Sequence, residues 1–290
     1  MKPWLLAIRP KTLVAAVIPV LVGTALAVAV GYKVSWHLSL HALISVCFIQ
    51  IATNLFNDAL DFKKGADTAQ RLGPVRVTQN GLLSFQQVFV SGFVCLLIAT
   101  LFGIPLVMAG GWVIAAIGLV SLLFAYLYTG GPTPLAYIGG AEIFVLLFFG
   151  LIAVGGVFYL HTAQLTVSAL IAGFQVGCLS TVLLAINNLR DLQADQKANK
   201  KTFAVRFGIP FARMEIALFI LIPFLLNFHW WSLGYRWAAT LPLVSIPFAL
   251  QVIRGVYRTE PSSLYNYFLG RAALLHLNFG GLLAVGLLWR

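Results

Sequence analysis

The stretch that decides the fold runs from Asn54 to Arg76, NLFNDALDFKKGADTAQRLGPVR. It lies between two long apolar segments and holds Asp58, Asp61 and Asp67, three of the eight carboxylates in the chain. A second stretch, Asn187 to Arg206 (NNLRDLQADQKANKKTFAVR), follows another apolar run and adds Asp191 and Asp195. Each window presents asparagines and acids first, then lysines and arginines, and then gives way to a new hydrophobic run. Most of the acids therefore fall in two short polar windows of an otherwise apolar protein. Such a chain reads as a bundle of membrane helices with its chemistry gathered where two of them end.

Composition agrees. Of 290 residues, 60% are hydrophobic and 9% charged, and the mean hydropathy is +0.94, whereas a soluble domain carries roughly 25% charged residues. The net charge of +11 does not indicate nucleic-acid binding, because the basic residues sit between hydrophobic runs and not on a soluble face. Cys47, Cys95 and Cys178 are far apart inside apolar runs and read as small buried hydrophobes. His41, His161, His229 and His276 are isolated in or beside such runs and read as structural or interfacial.

Segments of about 20 residues cross ~30 Å of hydrocarbon. Nine are expected, at 12–31, 38–56, 86–108, 112–129, 138–159, 165–187, 211–230, 235–253 and 271–289, in one domain spanning residues 1–290. The apolar stretch 82–129 is too long for one crossing, so Gly110-Gly111 is its expected turn. The first segment has basic flanks like a signal peptide, but its apolar core exceeds the usual 7–15 residues and reads as a retained helix. With nine spans, sixteen of the nineteen basic residues fall on the side of the N-terminus and the 2–3, 4–5, 6–7 and 8–9 loops. The positive-inside rule then places both acidic windows and the N-terminus in the cytoplasm and the C-terminus outside.

If span two continues as helix through Asp61, then Asn54, Asp58 and Asp61 stand at i, i+4 and i+7, with Asn57 one turn before Asp61. Asn188, Asp191 and Asp195 repeat the arrangement at i, i+3 and i+7 at the end of span six, with Asn187 one turn before Asp191. Oxygen-only clusters of this kind suit Mg²⁺ over zinc or copper. Asn54, Asn57, Asp58, Asp61, Asn188, Asp191 and Asp195 are the expected metal ligands, and the four aspartates among them the expected catalytic acids. Basic residues follow each cluster: Lys63, Lys64, Arg71 and Arg76 in one loop, Lys197, Lys200, Lys201 and Arg206 in the other. Of these, Lys63, Arg71, Arg76, Lys197 and Lys201 are the expected grip on a diphosphate.

These residues, with the flanking runs Ala7-Ile8-Arg9-Pro10-Lys11-Thr12-Leu13, Tyr128-Thr129-Gly130-Gly131-Pro132 and Lys201-Thr202-Phe203-Ala204-Val205-Arg206, resemble the UbiA superfamily of intramembrane prenyltransferases. The resemblance covers nearly the whole chain, and the DT-x-x-RLGP, YTGGP and NNLRD…KT-x-AVR runs are similar to its MenA-type 1,4-dihydroxy-2-naphthoate polyprenyltransferase branch. It implies an all-α fold of nine transmembrane helices around a central cavity, two Mg²⁺ ions bridging a polyprenyl diphosphate donor, and an aromatic acceptor whose carboxylate leaves as CO₂. Arg9, Asp67, Tyr128, Tyr137, Glu142 and Asn187 are the expected acceptor or prenyl pocket, Tyr128 and Tyr137 as aromatics near the cytoplasmic ends of spans four and five and Glu142 as a lone intramembrane carboxylate. Asn188 stands where a strict three-carboxylate motif has Asp, and Gly130-Gly131-Pro132 replaces the Lys-Arg pair of many hydroxybenzoate-type members. No protein partner is implied beyond the lipid bilayer. Other UbiA-type acceptors (hydroxybenzoate, homogentisate, chlorin or haem) form the nearest alternative. A CDP-alcohol phosphotransferase crowds its acids on one helix motif, and a cation transporter places them near the bilayer midplane, unlike the two distant helix-end clusters here.

Overall fold

The computed structural model describes residues 2–65 and 72–289, so the expected roles of Asp67 and Arg71 fall outside the described residues. Among the described residues there is no strand. A short α1 (Lys2–Ile8) precedes α2 (Pro10–Ala29), α3 (Trp36–Lys63) and α4 (Phe85–Leu127). A brief α5 (Leu135–Ile138) leads to α6 (Ala141–Leu146), which runs through a π-helical turn at Leu147–Ile152 into α7 (Ala153–Thr162). Then follow α8 (Val167–Arg190), α9 (Leu192–Lys197), α10 (Phe203–Ser232), α11 (Arg236–Thr240), α12 (Ile246–Arg258) and α13 (Tyr265–Leu288).

Eight helical stretches among the described residues are long and apolar enough to cross a membrane, and one of them is long enough to cross twice. The 43 residues of α4 would extend about 65 Å if straight, twice the hydrocarbon thickness. Its backbone leaves the helix at Gly111, with φ 64° and ψ −154°, a conformation that a residue without Cβ adopts at little cost. Tyr126, near the end of the second arm, lies with its ring 6.5 Å from that of Phe89 and 6.2 Å from that of Phe93 on the first. The helix therefore doubles back at the expected glycine pair, and the described residues make nine passes.

The loops expected to share a side do so. Lys64 donates from Nζ to the Thr129 carbonyl at 2.6 Å, Lys201 from its backbone N–H to the Tyr137 carbonyl at 2.9 Å, and Asn266 from Nδ2 to the Leu72 carbonyl at 2.8 Å. The other end has its own contacts, among them Thr24 to Ser39, Ser39 to His161 and Ser168 to His229. Two local differences from the sequence-based spans matter. The helix after the second acidic window resumes at Phe203, not 211, and bends at Gly208 (φ 81°), which keeps the Lys-Thr-x-Ala-Val-Arg run against the bundle. Arg9, with φ 54°, breaks α1 from α2 and lets α1 fold over the end of α3.

Packing follows membrane rules. Without water to drive helices together, close backbone approach and buried polar bonds do the work. Gly150 in the π turn meets Gly173 and Gly177 of α8 so closely that a Cβ at any of the three would strike backbone. Gln175 on α8 donates to Asn227 Oδ1 and the Pro223 carbonyl of α10 and accepts from Trp230 Nε1, all fully buried. Ile18 and Leu26 of α2 are completely buried in a core that α8, α10 and α13 share, so the first span is an integral part of the core.

Candidate functional site

A cavity of about 940 Å³ opens inside the bundle, with a polar end and a long apolar remainder. Asn54, Asn57, Asp61 and Arg76 line the polar end from one motif, and Asn187, Asn188, Arg190, Asp191, Asp195 and Lys200 from the other. Two windows more than a hundred residues apart thus face each other because α3 and α8 both end on this side.

The first motif centres on Asp61, which is 2% exposed. Its Oδ1 accepts from the Tyr137 hydroxyl at 2.8 Å. Its Oδ2 receives Arg76 Nη2 at 3.3 Å and Lys200 Nζ at 3.5 Å. The same Arg76 nitrogen donates to Asn57 Oδ1 at 2.6 Å. Asn54 faces the cavity while its Nδ2 holds the chain start, donating to the Ile8 carbonyl and Thr12 Oγ1, both at 2.9 Å. Asp58 departs from the expected role. It points away from the cavity, and its two oxygens accept the backbone N–H groups of Thr78 at 3.0 Å and Val77 at 3.1 Å. One turn of helix separates Asp58 from Asp61, and the turn that re-enters the bundle at Val77 occupies the nearer face.

The second motif is assembled differently. The helix breaks at Asp191 (φ −92°, ψ 10°) and α9 carries Asp195 onward. Arg190, only 2% exposed, grips Asp191 through two parallel bonds of 2.9 and 2.6 Å, the strong bidentate geometry. Its remaining Nη1 donates to Asn266 Oδ1 at 2.8 Å. Asn188 Nδ2 donates to Glu142 Oε1 at 2.8 Å. Asn187 back-bonds to the Leu183 carbonyl. Lys200 joins the two halves, with Nζ 3.5 Å from Asp61 and 3.8 Å from Asp195.

The expected diphosphate grip is rearranged. Arg76 faces the cavity, but three of the named lysines do not. Lys63 is exposed with Nζ over the Phe85 ring at 5.8 Å, Lys197 is exposed at the end of α9, and Lys201 lies on an outer depression beside Lys64. Lys197 ends α9, whereas Lys200 and Lys201 lie in the short loop before α10, so the lysines of this run point to different sides. Lys200 and Arg190 take their place. The adjacency of Arg190 to Asp191 at a helix end is the sequence signal for such a clamp.

The pocket residues divide as well. Arg9, Tyr128 and Asn187 line the cavity, whereas Tyr137 and Glu142 do not. Tyr137 instead stands behind Asp61, with Lys64 Nζ 4.5 Å and Lys200 Nζ 4.8 Å from its ring centre, a cation–π arrangement. Burial lowers the Lys64 pKa; Asp61 opposes this and Lys200 reinforces it. Tyr128 ends α4, and burial, then Glu142, Asp61 and Asp195, push its phenol above the usual range. Below Tyr128 the wall turns aromatic: Phe144 and Phe148 stack at 4.2 Å, and Phe124 lies 4.9 Å from Phe144.

The donors facing the cavity are oxygens of Asp61, Asp191, Asp195, Asn57 and Asn188, which suits Mg²⁺. The Lys200 ammonium between Asp61 and Asp195 marks a place where a cation is held between the two motifs. Among the described residues no group of three or more acids, histidines or cysteines could hold an ion by itself. A Mg²⁺ ion held here would complete its shell with amides, water and ligand oxygens, as is usual for this ion.

The profile of the UbiA prenyltransferase family matches residues 16–275. The 1,4-dihydroxy-2-naphthoate octaprenyltransferase of Bacillus subtilis (strain 168) is 32% identical over 298 residues, covering 97% of this chain and 90% of its own. That of Escherichia coli (strain K12) is 35% identical over 263 residues, covering 88% and 85%. In fold, the chain is similar to the solved structure of a UbiA homolog from Archaeoglobus fulgidus bound to GPP and Mg²⁺, with a TM-score of 0.68, 17% identity, and 97% of this chain and 99% of that one covered. With helices, cavity and both acid-bearing helix ends in place, the chain belongs to the UbiA prenyltransferase family.

Proposed function

We propose that this protein transfers a polyprenyl group from polyprenyl diphosphate to 1,4-dihydroxy-2-naphthoate, releasing diphosphate and CO₂ and giving demethylmenaquinol for menaquinone biosynthesis. The observation that carries the reading is one cavity with two acid-bearing helix ends at its head and an aromatic, then aliphatic, body beneath them. The full-length similarity to naphthoate octaprenyltransferases supports the acceptor.

Asp61 and Asn57 from one side, and Asp191, Asp195 and Asn188 from the other, would hold two Mg²⁺ ions, one per motif. When bound, Mg²⁺ neutralises the diphosphate as its bond to the allylic carbon breaks. Arg76, Arg190 and Lys200 ring the same space and bind the diphosphate oxygens, with arginine suited to two-point recognition. Release of diphosphate leaves an allylic cation facing Tyr128, Phe124, Phe144 and Phe148, whose ring faces stabilise positive charge and exclude water. The electron-rich acceptor ring attacks that cation, and loss of CO₂ restores its aromaticity. Asp58 acts here as the anchor of the 77–80 turn, and Tyr137 as the support behind Asp61.

The test uses purified protein with Mg²⁺ and an allylic polyprenyl diphosphate, assayed in parallel with 1,4-dihydroxy-2-naphthoate and 4-hydroxybenzoate. Mass spectrometry is expected to find a prenylated naphthoquinol lacking its carboxylate. A prenylated hydroxybenzoate that keeps its carboxylate, with no naphthoate product, would assign the chain to another acceptor branch.

The basic-residue bias supports a site at the cytoplasmic face, and the reading puts the protein in the cytoplasmic (inner) membrane. Reporters fused at Lys64 or Lys200 are expected to read cytoplasmic and one after Trp289 external. A cytoplasmic C-terminal reporter would overturn that orientation.

A further inference from the structure

The two motifs do not present the same donors. In the second, Asn188 stands beside Asp191 and Asp195, and a neutral amide can hold a divalent cation only through Oδ1, because its NH₂ only donates. The two ends of an amide are nearly equal in size, so something else must decide which end faces the metal side.

Glu142 makes that decision from behind. It is 1% exposed on the first turn of α6 and does not line the cavity, whereas Asn188 does. Its Oε1 accepts the backbone N–H of Phe203 at 3.4 Å, which identifies that oxygen as an acceptor. Only the NH₂ end of Asn188 can then face it, and Nδ2 donates to the same Oε1 at 2.8 Å. Oδ1 is thereby carried to the side away from Glu142. The second carboxyl oxygen of Glu142 is buried without a hydrogen-bond partner. Its environment thus does little for Glu142 itself, while Glu142 orders Asn188.

The geometry points to Glu142 as a positioning residue that locks the Asn188 amide with its oxygen, not its NH₂, offered to the cation. The inference rests on the metal-site reading above and deepens it. Partners outside the coordination shell commonly orient the ligands in this way. Here the result is a reversible pairing of one carboxylate with one amide, which makes a specific demand. Asn188→Asp alone sets two carboxylates against each other at hydrogen-bond distance and removes the donor. Adding Glu142→Gln restores one amide and one carboxylate with the hydrogen bond reversed, and relieves the repulsion while a carboxylate oxygen stays on the metal side.

The experiment measures Mn²⁺ binding to the purified full-length protein by electron paramagnetic resonance, with Mn²⁺ standing in for Mg²⁺ and thermal unfolding followed in parallel. Asn188→Asp is expected to weaken Mn²⁺ binding by more than tenfold, and the double variant Asn188→Asp with Glu142→Gln to recover to within about tenfold of the parent. Glu142→Leu, which fills the volume but cannot accept, is expected to weaken binding by roughly 10- to 100-fold; it carries the test where Asn188→Asp does not fold. A double variant no better than Asn188→Asp alone, or a Glu142→Leu protein that binds Mn²⁺ like the parent, overturns the inference. Asp195→Asn separates the two readings. If it also binds like the parent, the metal site itself falls and Glu142 with it; if it loses Mn²⁺ while Glu142→Leu does not, only the Glu142 role falls.

Discussion

The end of α3 and the end of α8 carry nearly the same string of asparagines and aspartates, yet they serve the cavity differently. At α3 one aspartate faces in and one faces out: Asp61 collects Arg76, Lys200 and Tyr137, while Asp58 holds the backbone of the returning loop. At the end of α8 both aspartates line the cavity, and the motif is restrained from behind by a bidentate arginine on Asp191 and a glutamate-backed amide at Asn188. A spacing of i, i+4, i+7 therefore identifies a stripe, but the elements packed on either edge of it decide which oxygens remain for a ligand.

The comparison breaks most visibly at Asp61 and Asp195, the two acids joined by Lys200. Replacing either with Ala is expected to lower turnover by at least about 10³-fold, the order seen when a preorganised charge-stabilising group is removed. Stripping the metal with EDTA should abolish turnover, and Mg²⁺ should restore it in the parent but not in these variants. Retention of full activity in the Asp61→Ala, Asp195→Ala double variant would defeat the two-motif site.

Asp58 offers the sharpest contrast, because its neighbour one turn on is the hub. Bonds to charged groups contribute about 1.5–3 kcal/mol each, so Asp58→Ala is expected to cost the loop anchor several kcal/mol, read as a lower unfolding temperature. Half-saturating Mg²⁺ in the protein that survives should stay near the parental value. A large rise in the Mg²⁺ requirement without loss of stability would return Asp58 to the metal.

Lys200 and its neighbours test the basic run. Lys200→Ala is expected to raise the KM for the polyprenyl diphosphate by about 10- to 100-fold, losing one charged contact between the motifs. Lys197→Ala and Lys63→Ala should stay within about twofold, as expected of solvent-exposed charges. Equal effects at all three would mean that the run acts as a diffuse positive patch. Among the groups that touch Asp61, the smallest shift is expected at Tyr137→Phe, which removes one hydrogen bond from Asp61 and keeps the ring between Lys64 and Lys200; turnover should fall by about tenfold.

Much of this was legible in the sequence for physical reasons. Apolar runs of bilayer length, the Gly110-Gly111 interruption of a run too long for one crossing, and the side preference of basic residues are local or cumulative properties, and they determined the nine passes and which loops gather at one end. The oxygen-only character of the acid windows likewise determined the kind of cation they suit. Tertiary structure alone decided the orientation of individual side chains. Lys200 and not Lys197 or Lys201 bridges the motifs, because the loop between α9 and α10 turns each lysine a different way and only the partner across the cavity selects one. Asp58 turns outward because a loop nineteen residues on brings the Val77 and Thr78 amides to it. Arg190, and Glu142, which the sequence suggests only as a pocket residue, gain their roles from contacts with residues 1 to 76 positions distant. Hydrophobic length is written along the chain, whereas the choice of which oxygen meets a cation is made by whatever packs behind it.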